Sequence, residues 1–171
     1  MGHCQQQEFS SLRVKVITVS DSRDLDSDKS GALICKKLTA AGHEVTSREV
    51  VVDTIDDIRH SINQAIVNEQ AQVIILNGGT GVAPRDQTPE AIEPLFDKHL
   101  LGFGELFRHL SFSEIGAATI QSRAMAGMIN GAVVFSLPGS TKACRLAIDE
   151  IILPQLDART KPCSFSALLG L

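Results

Sequence analysis

The sequence predicts an α/β fold with a mostly parallel sheet covered on both faces. Three observations carry this expectation. Short runs rich in β-branched residues alternate with stretches of helical periodicity. Several of those runs break into glycine- or serine-rich polar loops, as strands of a parallel sheet do at their carboxyl ends. Finally, 171 residues with 43% apolar and 21% charged side chains suit one domain with a substantial core.

Arg13–Val19 (RVKVITV) reads as the first strand and enters the polar loop Ser20–Ser30. Ser30-Gly31 opens a helix in which Leu33, Ile34, Lys37 and Leu38 recur at helical intervals, and Gly42 stops it. Glu44–Val52 is strand-like. Asp53–Gln70 reads as a loop and an amphipathic helix carrying Ile55, Ile58, Ile62, Ala65 and Ile66 on one face. Val73–Asn77 is the central buried strand. Ala91–Phe96 and Gly104–Leu110 are expected to be short helices, while Thr119–Gly127 is ambiguous between strand, turn and helix start. Ala132–Leu137 is again a buried strand. Thr141–Leu153 follows as a helix stopped by Pro154, and Gln155–Leu171 is expected to be an extended tail. The expected organisation is a loosely ordered segment 1–12, a single domain 13–160 and a C-terminal tail 161–171.

In such sheets ligands bind beyond the carboxyl ends of the strands. The loops Ser20–Ser30, Gly78–Thr88 and Pro138–Ser140 should converge there, with Asp53 beside them. Gly78, Gly79 and Gly81 (in GGTG) free backbone N–H groups to face an anion, above all a phosphate. A tight strand-to-helix turn with no ligand is the alternative, and spacing alone leaves both open. Neither a Walker A sequence nor a GxGxxG fingerprint is present. Arg85 is placed to clamp a phosphate oxygen, and Asp86 to hold magnesium or to cap the helix near Pro89. Asp53 is the second carboxylate expected at the crevice, or else a cap or solvated loop charge. Asp56 and Asp57 read as the acidic first turn of a helix. Pro138-Gly139-Ser140 repeats the anion-site logic, with Ser140 or Thr141 as the competing N-cap reading.

Composition narrows the function classes. A net charge of −4 argues against a general nucleic-acid surface. No apolar run approaches the roughly 20 residues needed to span a bilayer, and no secretory signal is evident, so a cytoplasmic location is expected. Cys4, Cys35, Cys144 and Cys163 lack metal-ligand spacing; Cys35 and Cys144 read as small core residues. The absence of Trp and Tyr precludes an aromatic sandwich around a ring ligand, and Phe103 and Phe107 read as core or interface. The five histidines are scattered, and no Ser-His-Asp arrangement or GxSxG appears.

Taken together, Thr18-Val19-Ser20-Asp21, Asp28-Lys29-Ser30-Gly31, Gly78-Gly79-Thr80-Gly81, Arg85-Asp86-Gln87-Thr88-Pro89-Glu90, Gly102-Phe103-Gly104-Glu105, Ser122-Arg123-Ala124 and Leu137-Pro138-Gly139-Ser140 form an ordered set. Over roughly residues 13–160 the chain resembles the molybdenum cofactor biosynthesis protein B / molybdopterin adenylyltransferase family. The resemblance implies a three-layer α/β/α sandwich with a mostly parallel central sheet, assembled as a homo-oligomer, trimer or hexamer. Its B-type features, with Phe103, Phe107, Leu110 and Phe112, favour the hexamer.

The resemblance also implies Mg-ATP-dependent transfer of AMP to molybdopterin. ATP is then co-substrate, molybdopterin is substrate, and pathway enzymes are the further partners. Asp86 and Asp53 would be the catalytic and magnesium-holding carboxylates, with Asp56 or Asp57 as alternatives to Asp53. Ser20, Asp21 and Ser30 would line the nucleotide side. Gly78, Gly79, Thr80, Gly81, Arg85, Ser122, Arg123, Pro138, Gly139 and Ser140 would complete the binding surface for pterin and phosphate. Two other functions stay open: a molybdopterin carrier or assembly factor without turnover, and an oligomeric scaffold with purely structural glycine turns.

Overall fold

A computed structural model describes residues 8–169. Six strands form one sheet in the order β2-β1-β3-β6-β5-β4. β1 (Arg13–Val19), β2 (Glu44–Val51), β3 (Val73–Asn77) and β6 (Ala132–Leu137) are mutually parallel. β4 (Lys98–His99) and β5 (Met125–Ile129) extend the sheet by antiparallel pairing. The sheet is therefore mixed but mostly parallel, in an α/β/α sandwich as expected.

The period-two alternation of the strands divides the core. Val14, Val16, Val73, Ile75, Val133 and Phe135 face one layer, built from α1 (Lys29–Ala40), α4 (Leu101–Ile115) and α5 (Thr141–Ala147). Ile17, Val19, Ile74, Leu76 and Val134 face the other, where α2 (Ile55–Val67) contributes Ile58, Ile62 and Ala65, and α3 (Thr88–Ile92) contributes Ala91 and Ile92. β3 is buried along its whole length, which is why its sequence is an unbroken apolar run. Cys144 is fully buried and Cys35 half-buried against the same core; burial pushes the Cys144 thiol up to about 12, so it is inert at neutral pH. Cys4 lies outside the described residues.

Thr54 caps α2 by accepting the Asp57 N–H, and Asp28 caps α1 by accepting the Gly31 N–H at 2.9 Å. N-terminal to β1, Leu12 is fully buried and its N–H donates to His43 Nδ1. Among the described residues, no helix is long and apolar enough to cross a membrane.

One open stretch is resolved and three expectations are corrected. The ambiguous stretch resolves into a 3-10 turn, Gly116–Gln121, followed by β5, which pairs with β6 through the two-residue turn Asn130-Gly131. Both turn residues have positive φ (48° and 85°), the geometry that an Asn-Gly pair supplies. α4 runs from Leu101 to Ile115, well beyond the expected segment. Pro154 does not stop the last helix. A π turn at Ile148–Ile152 widens the backbone there, and α6 (Leu153–Leu156) continues through the proline. The tail then folds back into a 3-10 turn at Phe165–Ala167, with the Phe165 ring edge-on to Phe135 at 5.9 Å.

Candidate functional site

The chain leaves β1 toward one edge of the sheet and β3 toward the other, so a crevice opens between their carboxyl ends. There a cleft of about 480 Å³ is lined by Ser20, Gly78, Gly79, Thr80, Gly81, Arg85, Asp86, Ser122, Pro138, Gly139 and Ser140. These eleven expected residues come from four separate stretches of sequence.

The glycine loop is shaped by what lies against it. Gly78 and Gly79 adopt positive φ, 103° and 62°. A Cβ on Gly78 would sit 2.2 Å from the Val19 carbonyl oxygen; one on Gly79 would sit 2.3 Å from Thr88 Oγ1 and 2.6 Å from Asp53 Oδ2. The loop is therefore pressed against the end of β1 and against Asp53, and side chains are excluded on both counts. Thr88 pins it further, donating its hydroxyl to the Gly78 carbonyl at 2.9 Å and its N–H to the Gly79 carbonyl at 3.0 Å.

Asp86 lines the cleft and is half-buried. Its Oδ2 accepts the Ala83 N–H at 3.0 Å, and its own N–H donates to the Ala83 carbonyl at 2.9 Å, closing a tight turn beside Gly81. The N-cap of α3 is Gln87, with no side-chain cap, so Asp86 is not the helix cap. Asp53 stands behind the glycine loop and does not line the cleft. Its Oδ1 accepts the Gln87 N–H at 3.1 Å, while its N–H donates to Asp21 Oδ1 at 3.0 Å. Burial raises the Asp53 carboxyl above the usual aspartate range. The Gln87 N–H opposes the rise, and the neighbouring charges of Asp21 and Asp86 add to it. Asp56 and Asp57 are exposed on the first turn of α2.

Other expected residues serve as struts. Ser30 is buried behind the cleft and donates its hydroxyl to the Gly139 carbonyl at 2.8 Å, tying α1 to the Pro138–Ser140 turn. Ser140 is the N-cap of α5, accepting the Ala143 N–H at 3.2 Å, and it lines the cleft as well. Asp21 joins the loops through Asp53 and lies 4.0 Å from Arg85, a loose and exposed contact. Arg123 does not line the cleft; its guanidinium reaches the carbonyls of Gly81 and Asp86, each at 2.8 Å.

The cleft also takes in residues that pattern reading did not single out. Ser20 Oγ accepts the N–H groups of Ser22 and Arg23, and the turn it makes aims Arg23 at the Gly139 carbonyl, 3.2 Å away. Arg23 and Arg85 are the cations of the lining and Asp86 is its anion. The far wall is α4 and the turn after it, through Phe107, Ser111, Ile115, Thr119 and Gln121. Arg23 was findable as a cation in a post-strand loop; the α4 wall carried no such signal. Behind the site, Asn77 Nδ2 donates to Thr18 Oγ1, which donates to Asp28 Oδ2, with Arg48 at 3.6 Å from that carboxylate. This buried chain joins the ends of β1 and β3 to the start of α1.

Comparison with known proteins agrees with this arrangement. Residues 15–158 match a family described as a probable molybdopterin binding domain. The molybdenum cofactor biosynthesis protein B of Escherichia coli (strain K12) is 48% identical over 158 residues, spanning 92% of this chain and 93% of the relative. That of Bacillus subtilis (strain 168) is 51% identical over 146 residues, 85% of this chain and 86% of the relative. A crystal structure of a molybdenum cofactor biosynthesis protein B superposes with a TM-score of 0.84 at 46% identity, covering 88% of this chain and 94% of the other. A matching fold, strand-end loops gathered on one cleft, and near-half identity over almost the full length lead to one conclusion: the chain belongs to the molybdopterin-binding family of molybdenum cofactor biosynthesis proteins.

Proposed function

We propose that this protein acts in molybdenum cofactor biosynthesis by transferring AMP from ATP to the terminal phosphate of molybdopterin, with release of pyrophosphate. One observation carries the reading: a single cleft gathers two glycine-containing strand-end turns, two arginines and one carboxylate, Asp86. A phosphate oxygen of molybdopterin attacks the α-phosphorus of ATP, and the bond to the β-phosphate oxygen breaks. The substrate supplies its own nucleophile, so an activated Ser, Cys or His is unnecessary. Positioning and charge neutralisation then account for the catalysis.

The proposed cation is magnesium, held between Asp86 of the cleft lining and Asp53 behind the glycine loop. Asp86 and Asp53 approach the glycine loop from two sides, and the unfavourable charge that Asp21 and Asp86 place on Asp53 is what a divalent cation would relieve. Among the described residues no group of three or more His, Cys, Asp or Glu is arranged to hold a metal, which leaves the remaining positions to phosphate oxygens and water. Asp86 and Asp53 would hold the ion, which would neutralise charge on the reacting phosphates. Arg23 and Arg85 would bind phosphate oxygens from the rim.

A homo-oligomer is part of the proposal. Leu101, Leu106, Phe112, Ile115 and Ile120 leave apolar surface exposed along α4 and its following turn, whereas Phe103 and Phe107 are core. Mass measurement in solution distinguishes monomer, trimer and hexamer.

The test of function is AMP transfer with molybdopterin, ATP and magnesium by the wild type and by Asp86→Asn. Transfer by the wild type and its collapse in the variant support the enzyme. Tight molybdopterin binding with ATP untouched supports instead the carrier reading, which the position of Asp53 outside the cleft favours.

A further inference from the structure

Arg123 lies just before β5, yet it holds a loop on the other side of the cleft. Its Nε donates to the Gly81 carbonyl and its Nη2 to the Asp86 carbonyl, each at 2.8 Å, while Nη1 meets the Glu90 carboxylate. Its backbone N–H donates to the Thr80 carbonyl at 3.2 Å. One side chain therefore fixes both ends of the turn that carries Asp86, and the start of α3 beyond it. A guanidinium is a rigid planar fork, so holding two carbonyls with it fixes their separation; a lysine ammonium cannot do this. The arginine is itself anchored, because Arg108 of α4 donates to the carbonyls of Ser122 and Ala124 at 3.4 and 3.1 Å. The main cleft does not include Arg123. Instead it borders two smaller cavities, of about 180 and 390 Å³, behind the loop.

We infer that Arg123 is a positioning residue that acts through Asp86, holding the carboxylate and the Gly78–Gly81 amides in register without touching substrate. This rests on the reading of Asp86 as the catalytic carboxylate. A loosened Asp86 turn should lower turnover and raise the magnesium requirement, while leaving molybdopterin affinity alone. The cavities bordering the guanidinium offer a route for a small cation to replace it.

The experiment compares wild type, Arg123→Ala and Arg123→Lys in two measurements. In the free protein, amide exchange across residues 80–87 should speed up about tenfold in both variants while β1 and β3 keep their protection. In the AMP-transfer assay, kcat should fall about 10–100-fold with the KM for molybdopterin within roughly twofold of wild type. Added guanidinium ion should restore part of the kcat of Arg123→Ala, and ammonium ion should not. Unchanged exchange in the loop overturns the inference, as does a raised KM with unchanged kcat, which would make Arg123 a substrate contact. If the wild type transfers no AMP, the proposed function fails, and the exchange measurement still decides whether Arg123 sets the loop.

Discussion

Two charged regions lie along β1, and they are finished to different degrees. On the α2 side, Lys15 is 3% exposed, and its ammonium lies 2.8 Å from Glu69 and 3.2 Å from Glu49. The second Glu69 oxygen accepts hydroxyls from Thr46 and Ser47, each at 2.7 Å, and Ser61 donates to Glu49. A register shift between β1 and β2 at Val14/Lys15 adds a residue to β2, which lets both neighbouring hydroxyls turn to one carboxylate. At the carboxyl end of β1 the contrast is complete. Burial and the neighbouring charges of Asp21 and Asp86 raise Asp53, exposed Arg85 opposes them weakly, and the Arg85 contact with Asp21 is 4.0 Å long. The first network is satisfied by the chain itself. The second holds its charges apart from partners of opposite sign, as a site that completes itself with ligand does.

The largest expected effect breaks the unfinished region. Asp86→Asn keeps the acceptor for the Ala83 N–H and removes the charge, so the fold should be unchanged while AMP transfer falls about 10²–10³-fold. Retained activity in a folded Asp86→Asn protein would remove Asp86 from the chemistry. The next effect breaks the finished region. Lys15→Ala leaves Glu49 and Glu69 facing each other, and urea unfolding should show a loss of about 2–3 kcal/mol, below the fully buried case because both glutamates reach water. AMP transfer per folded molecule should not change. In a Lys15→Met/Glu69→Gln double variant part of that loss should return, since only the more exposed Glu49, still bonded to Ser61, keeps its charge.

This division was only partly legible beforehand. β3 and β6 stood out because buried parallel strands are written as nearly continuous apolar runs, β1 because it is rich in β-branched residues, and the loops after them carried the glycines, Arg85, Asp86 and Ser140 that share the cleft. β5 was hidden because Met125–Ile129 contains a glycine and almost no β-branched residue. Gly127 is there for space: a Cβ would lie 2.4 Å from the Phe96 ring, so the residue that reads as a turn makes room for a neighbour. The Asn130-Gly131 pair was the available hairpin signal. Arg123 and Ser30 were recognisable as belonging near the site, but whether a polar side chain faces ligand or a backbone carbonyl depends on tertiary contacts that no spacing encodes.

The smallest expected effect is also the sharpest comparison, because the two regions should titrate with opposite sign. For Glu69, burial raises the carboxyl, but the bonds from Lys15, Ser47 and Thr46 outweigh it and hold it below the usual glutamate range. Its stabilising contribution is therefore complete above the unfolded value and is lost as pH falls through the lower native one. Asp53 lies above the usual aspartate range, so its ionised form costs stability at neutral pH, and that cost is relieved as pH falls through the raised value. Glu69→Gln should accordingly lose about 1 kcal/mol at neutral pH, and Asp53→Asn, which still accepts the Gln87 N–H, should gain about 0.5 kcal/mol. Both differences should shrink as thermal unfolding is followed toward acid pH, Asp53's before Glu69's, as each native carboxylate takes up its proton. A Tm for Asp53→Asn below that of wild type at neutral pH would mean that the Asp53 carboxylate is already balanced within the free protein, and the contrast between the two regions would dissolve.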